Sequence, residues 1–314
     1  MTSPIIRDGS LAGGIPAIAP FRPVAGEVFA QRAARLRALA PGHAIEEYLR
    51  FLGALSSAQD QCLRAASARF PAGTEWAALP DRKTLEHCRA HGLPPLSAEG
   101  HRRDPAWRAL VAQITDSMPA EALPPPARAV IAALAQRAPA ALEATADSLL
   151  AGAYAEVDVG AAPFIAAALQ VYWVRLALEL GDAAFSHGVE YGLCPVCGSR
   201  PAASVVRVGG AAQGLRYLVC SLCASEWHVV RVKCTACAST KGISTLGIEG
   251  ADEAVKAECC DACHSYLKLF YLEKNTALEP VADDLATLAL DMLVDEQGYH
   301  RIGPNLLFLP GAAI

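Results

Sequence analysis

From about residue 26 to Tyr191, apolar residues return at three- and four-residue intervals, the spacing that collects side chains on one face of a helix. Ile45, Tyr48, Leu49, Leu52 and Leu55 make the clearest stripe, and Cys62 continues it. That face is predicted to be core. Further helices are predicted over Gly26–Ala40, Asp104–Met118, Pro126–Arg137, Pro139–Ala151 and Phe164–Ala184, separated by connectors bearing Pro or Gly. The pattern predicts a bundle of about five to seven helices.

From Cys194 the period shortens. Ser204-Val-Val-Arg-Val, Leu215-Arg-Tyr-Leu-Val, Trp227-His-Val-Val-Arg-Val and Ser265-Tyr-Leu-Lys-Leu-Phe-Tyr-Leu are β-type runs bounded by cysteines and turn residues. A last helix is predicted from Pro280 to about Val294, packed beside the ribbons or back onto the helical domain. Pro280 suits its first position, and Asp283 and Asp284 complement its positive end, so these acids are assigned no chemistry. The expected class is α+β. A helical domain over residues 1–191 precedes four-cysteine ribbons over 192–233 and 234–274, then a C-terminal helix and tail over 275–314.

Composition changes the picture in three places. A chain of 314 residues that is 53% hydrophobic has ample material for a core, while 21 prolines and 24 glycines imply many breaks and leave room for local disorder around Leu11 to Pro23. A net charge of −5 argues against nonspecific nucleic-acid binding by the whole molecule. The opening residues lack the basic and then apolar pattern of an export signal, and the apolar stretch Ala161–Leu180 is interrupted by Pro163, Gln170, Arg175 and Glu179, so it reads as a buried helix rather than a span. The expected location is cytoplasmic, where thiols stay reduced, and eleven cysteines then point to metal rather than disulfides.

Eight of those cysteines form four pairs: Cys194 and Cys197, Cys220 and Cys223, Cys234 and Cys237, Cys260 and Cys263. Two residues between thiols let a tight turn aim both sulfurs at one ion, and two such knuckles complete a tetrahedral shell. The gaps from Cys197 to Cys220 and from Cys237 to Cys260 each hold 22 residues, the mark of a duplicated ribbon. One expected site is Cys194, Cys197, Cys220 and Cys223, the other Cys234, Cys237, Cys260 and Cys263; crossed pairing between the units is the alternative. Without metal, eight regularly paired thiols would make a poor core and an oxidation hazard. Zinc would add on the order of 10 kcal/mol of folding energy per site, and four thiolates suit iron equally, so spacing does not separate the two metals.

Only the first knuckle has glycine, Gly198, after its second cysteine; Ala224, Ala238 and His264 stand in the other three. Cys62, Cys88 and Cys259 read as a core residue, a surface residue and a spare thiol. His87 and His91 share a face of any helix there, with no further ligand pair evident, and read as solvated. His228 and His264 are candidates to orient a sulfur through a hydrogen bond, with an ordinary half-buried histidine at least as good a reading. From Gly198 to Lys241, Arg200, Arg207, Arg216, Arg231, Lys233 and Lys241 face a single acid, Glu226, which fits a solvated ribbon face or a basic surface for an acidic partner equally well. No nucleophile motif, phosphate-binding glycine loop or catalytic carboxylate pair stands out, so the chain is not expected to be an enzyme.

The run from Leu215 to Cys237 carries Arg216, Tyr217, Cys220, Cys223, Glu226, Trp227, His228, Arg231, Lys233, Cys234 and Cys237 in an order that resembles the FdhE family of formate dehydrogenase accessory proteins. The likeness extends to Cys194-Pro-Val-Cys-Gly, to Lys256-Ala-Glu, to Cys260-Asp-Ala-Cys-His-Ser-Tyr-Leu-Lys268 and to Val281–Asp291, and more weakly to Tyr48-Leu-Arg-Phe-Leu and Ala58-Gln-Asp. His264, in place of an expected glycine, and the additional Cys259 depart from it. The resemblance implies a cytoplasmic factor that helps respiratory formate dehydrogenase mature, binds its catalytic subunit and carries two rubredoxin-like iron ions, with zinc as the alternative metal. Two other readings stand beside it: a nucleic-acid-binding zinc ribbon stacking bases on Tyr217 and Trp227, and a rubredoxin-like electron carrier.

Overall fold

A computed structural model describes residues 18–69, 79–186 and 189–309; residues 11–17 of the stretch left open to local disorder lie outside these. Among the described residues, seven α-helices precede the first cysteine pair: α1 Val28–Leu39, α2 Glu46–Arg69, α3 Arg82–His91, α4 Trp107–Asp116, α5 Pro125–Ala135, α6 Pro139–Ala151 and α7 Ala162–Leu180. The stripe on α2 faces inward as its period requires, with Leu49, Leu52 and Leu55 fully buried.

The core is organised around α7, buried at every position from Ala162 to Ala177, with α2, α4 and α6 packed against it. By length and apolarity alone Ala162–Ala184 could cross a membrane, but 78% of its most apolar window is covered by the protein. Its polar residues have partners inside: Gln170 Nε2 donates to Ser221 O at 2.8 Å, and Arg175 pairs with Glu179 one turn on. A helix apolar all round is what the centre of a bundle demands.

The described residues beyond α7 include seven strands: β1 Pro201–Val206, β2 Arg216–Cys220, β3 Glu226–Val229, β4 Ile243–Leu246, β5 Val255–Cys260, β6 Ser265–Tyr271 and β7 His300–Arg301. They make one sheet in the order β3-β2-β1-β6-β5-β4, with β7 added to β6. Within each ribbon the pairing is antiparallel, and the ribbons join through parallel pairing of β1 with β6, Ser204 opposite Leu269 and Val206 opposite Tyr271. The β-type run from Trp227 stops at Val229, and Val232 turns the chain at φ 57°. On the outer side of this same edge strand, Phe21 bridges Glu226, so this end of the Leu11–Pro23 stretch is held in place.

The single C-terminal helix expected from Pro280 is two, α8 Pro280–Ala286 and α9 Leu288–Glu296. The break has a cause. Lys268, fully buried on β6, donates from Nζ to the carbonyls of Asp284 and Thr287 at 2.8 and 3.0 Å, drawing on acceptors that a continuous helix would use internally. Both expected packings are realised. Arg35 on α1 grips Asp283 at 2.6 Å, Tyr48 Oη donates to Leu307 O at 2.6 Å, and α9 closes a second core with Tyr217, Val255, Cys259 and Phe270.

Candidate metal centres

Each cysteine pair sits on a turn built the same way. The residue after the second cysteine takes a left-handed conformation in all four: Gly198 at φ 74°, Ala224 at 55°, Ala238 at 58° and His264 at 52°. In three of them its N–H reaches back to the first cysteine's carbonyl, Gly198 to Cys194 and His264 to Cys260 at 2.8 Å, Ala238 to Cys234 at 3.0 Å. Three knuckles thus keep glycine's geometry without glycine. At Gly198 a Cβ would also stand 3.1 Å from Pro94.

A further regularity, missed in the sequence reading, closes each turn. A serine follows every second cysteine by two positions: Ser199, Ser225, Ser239 and Ser265. Cys194, Cys220 and Cys234 donate their N–H groups to the carbonyls of Ser199, Ser225 and Ser239 at 3.0, 2.9 and 2.8 Å, while Cys260 pairs with Ser265 across β5 and β6. Ser199 Oγ lies 3.4 Å from Cys197 Sγ, Ser225 Oγ 3.3 Å from Cys223 Sγ and Ser265 Oγ 2.9 Å from Cys263 Sγ. A thiolate only accepts, so in a loaded site these hydroxyls are the donors. The signal was available as a fourfold Cys-x-x-Cys-x-Ser.

The structure assembles the cysteines in sequential order, not crossed. Cys194, Cys197, Cys220 and Cys223 form one quartet and Cys234, Cys237, Cys260 and Cys263 the other, with the sulfurs of each within 4.8 Å of one another. Cys194 and Cys223 sulfurs are 3.6 Å apart and Cys197 and Cys220 3.4 Å; in the second quartet Cys234 and Cys263 stand at 3.6 Å and Cys237 and Cys260 at 3.7 Å. Four sulfurs about 2.3 Å from a central ion lie about 3.8 Å from each other. The quartets fit a tetrahedral ion of thiophilic character.

Their electrostatics support the fit. Burial drives the Cys194 and Cys220 thiols well above their ordinary range, and although it pushes the same way on Cys197, hydrogen bonds from the other three cysteines hold that sulfur well below it. One sulfur ionises readily and then obstructs its neighbours. A cation removes that conflict.

The remaining candidates separate cleanly. Cys62 is core as expected; Cys88, read as a surface residue, is buried, and Cys259, read as a spare thiol, is fully enclosed in the second core. The tilted rings of His87 and His91 lie 4.4 Å apart on the exposed face of α3, and no third donor joins them among the described residues. His228 packs on Tyr217 and His264 beside Tyr299, so the serines, not the histidines, touch the sulfurs. Two of the six cations are spent internally, Arg207 on Glu226 and Arg216, 1% exposed, on Glu258 at 2.8 Å, leaving Arg200, Arg231 and Lys241 exposed and Lys233 over the Tyr191 ring. Tyr217 and Trp227, offered for base stacking, are 2% and 8% exposed.

A helical domain bearing a sheet with two four-thiol centres defines a paired-knuckle protein, and the comparisons say which. Residues 18–188 match the FdhE N-terminal family, 193–231 the FdhE central domain and 232–308 the FdhE C-terminal domain. Protein FdhE homolog of Edwardsiella ictaluri is 41% identical over 308 residues, covering 96% of this chain and 95% of the relative. Protein FdhE of Escherichia coli is 38% identical over 285 residues, covering 90% and 89%. The crystal structure of the FdhE protein from Pseudomonas aeruginosa superposes with a TM-score of 0.81 at 36% identity, covering 95% of this chain and all of that one. The chain belongs to the FdhE family.

Proposed function

We propose that this protein is a cytoplasmic, non-catalytic accessory factor in the maturation of respiratory formate dehydrogenase, and that it binds the catalytic subunit of that enzyme. The observation that carries the reading is FdhE family membership along almost the whole chain. Cys194, Cys197, Cys220 and Cys223 hold one metal ion and Cys234, Cys237, Cys260 and Cys263 a second. Iron is favoured by the family resemblance, and zinc is the alternative. Iron would add one-electron chemistry, whereas zinc would leave the sites structural. The sequestered rings of Tyr217 and Trp227 weigh against a nucleic-acid ribbon.

Two measurements test the reading. Elemental analysis of anaerobically purified protein, with spectra before and after dithionite, is expected to find metal in both centres, with charge-transfer bands that bleach if the metal is iron. Immobilised protein is expected to retain the formate dehydrogenase catalytic subunit. Metal-free protein would remove the site assignment, and a subunit that passes through unretained would remove the partner.

A further inference from the structure

The duplicated centres share a plan but not an environment. Cys197 and Cys237 occupy equivalent places in their knuckles. Around Cys197 the helical domain closes over the turn: Leu96 N–H donates to Val196 O at 2.9 Å, Ala98 N–H to Cys197 O at 2.8 Å, and Gln170 to Ser221 O at 2.8 Å. All four sulfur-bearing residues of that centre are at most 2% exposed. At the second centre Ala236, Cys237 and Ala238 are all exposed, and Cys263 is partly so.

Hydrogen bonding departs at the same residue. Ser199, Ser225 and Ser265 each set a hydroxyl against the second sulfur of their knuckle. Ser239 instead donates to Lys241 O at 3.1 Å and accepts the Lys241 N–H at 3.1 Å. Among the described residues, no hydroxyl is hydrogen-bonded to Cys237 Sγ. A hydroxyl on a thiolate stabilises its charge and holds it in place, and a buried sulfur offers no path for a replacement ligand. Cys237 has neither restraint.

We propose that the second centre is the molecule's exchange site, where a thiol from an outside carrier or partner displaces Cys237 from the metal. The incoming thiol passes its proton to the departing Cys237 sulfur, one metal–sulfur bond replaces another, and no electrons change hands. The first centre, enclosed between helical domain and sheet, keeps its metal. This rests on reading both quartets as metal sites.

The test uses full-length protein loaded with zinc at both centres. Challenged with a colorimetric chelator in the presence of glutathione, it is expected to release half its metal in a fast phase that accelerates with glutathione concentration, and the rest slowly. The Cys237→Ser variant is expected to lose the fast phase and keep the slow one. Should that variant misfold, brief iodoacetamide treatment of the loaded wild-type protein, mapped by mass spectrometry, gives the same answer: of the eight ligand cysteines, Cys237 is expected to be modified first. Release in a single phase, or first modification at Cys194, Cys197, Cys220 or Cys223, overturns the proposal while leaving the metal assignment intact. Protein that takes up no metal overturns both.

Discussion

Ala224 and Ala238 hold a conformation that an L-residue with a Cβ adopts only at a penalty, and they hold it because the knuckles on either side leave no alternative. The strain is relievable. Ala224→Gly and Ala238→Gly are each expected to stabilise the metal-loaded protein by about 1 kcal/mol in chemical denaturation, since glycine accepts this backbone without steric conflict. The reverse change, Gly198→Ala, is expected to destabilise by at least about 1 kcal/mol, because the added methyl also meets Pro94. His264 shows the same economy with a larger side chain, whose ring finds Tyr299 at 6.1 Å.

The elements that join the sheet to α8 and α9 depend on a buried ionic cluster. Lys268 reaches Asp284 at 3.2 Å and Asp291 at 2.5 Å, Arg301 reaches the same acids at 2.7 and 3.1 Å, and Asn305 Nδ2 donates to Asp284 at 2.9 Å. Removing one partner leaves uncompensated charge in a dry site, so Asp284→Asn is expected to cost about 3–5 kcal/mol near neutral pH. Burial pushes Asp284 up, but Arg301 and Lys268 outweigh it and hold the carboxyl below the usual range. A depressed carboxyl stabilises the fold above its unfolded value and loses that contribution as pH falls through the folded one. The stability gap between wild type and Asp284→Asn should therefore narrow below pH about 3.9, which urea titrations across that range will reveal. Here the sequence was only half legible. The α2 stripe and the four knuckles announced themselves because their periods are local. Lys268, in contrast, looked like an ordinary strand residue, and nothing near Thr287 announced a break imposed from β6. Strand β5 escaped for a related reason: its Glu258 breaks the apolar run, and only the distant Arg216 makes that acid tolerable inside.

At the scale of the molecule, Leu52, Trp107, Phe164 and Trp173 anchor a core built mostly from the helices before the first cysteine pair, which runs on into Cys194, Cys197, Cys220 and Cys223, while the second quartet stands outside it. Stripping both metals with a strong chelator under reducing conditions is expected to expose the segment between Cys194 and Cys263 to limited proteolysis while a fragment covering α1 to α7 survives. Loss of the helical fragment at the same rate would show that the metals sustain the whole fold. The parallel pairing of β1 with β6 also sets the order in which the chain can close. As the chain leaves the ribosome, β1 emerges with β2 and β3 and must wait for β6 to fill its other edge, while α1 and α2 wait longer still for Asp283 and Leu307. The first quartet is complete once Cys223 is out, and the second needs Cys263. On the proposed metal assignment, the first centre can therefore take up its ion before β6 is available, and final locking of the molecule waits for Leu307.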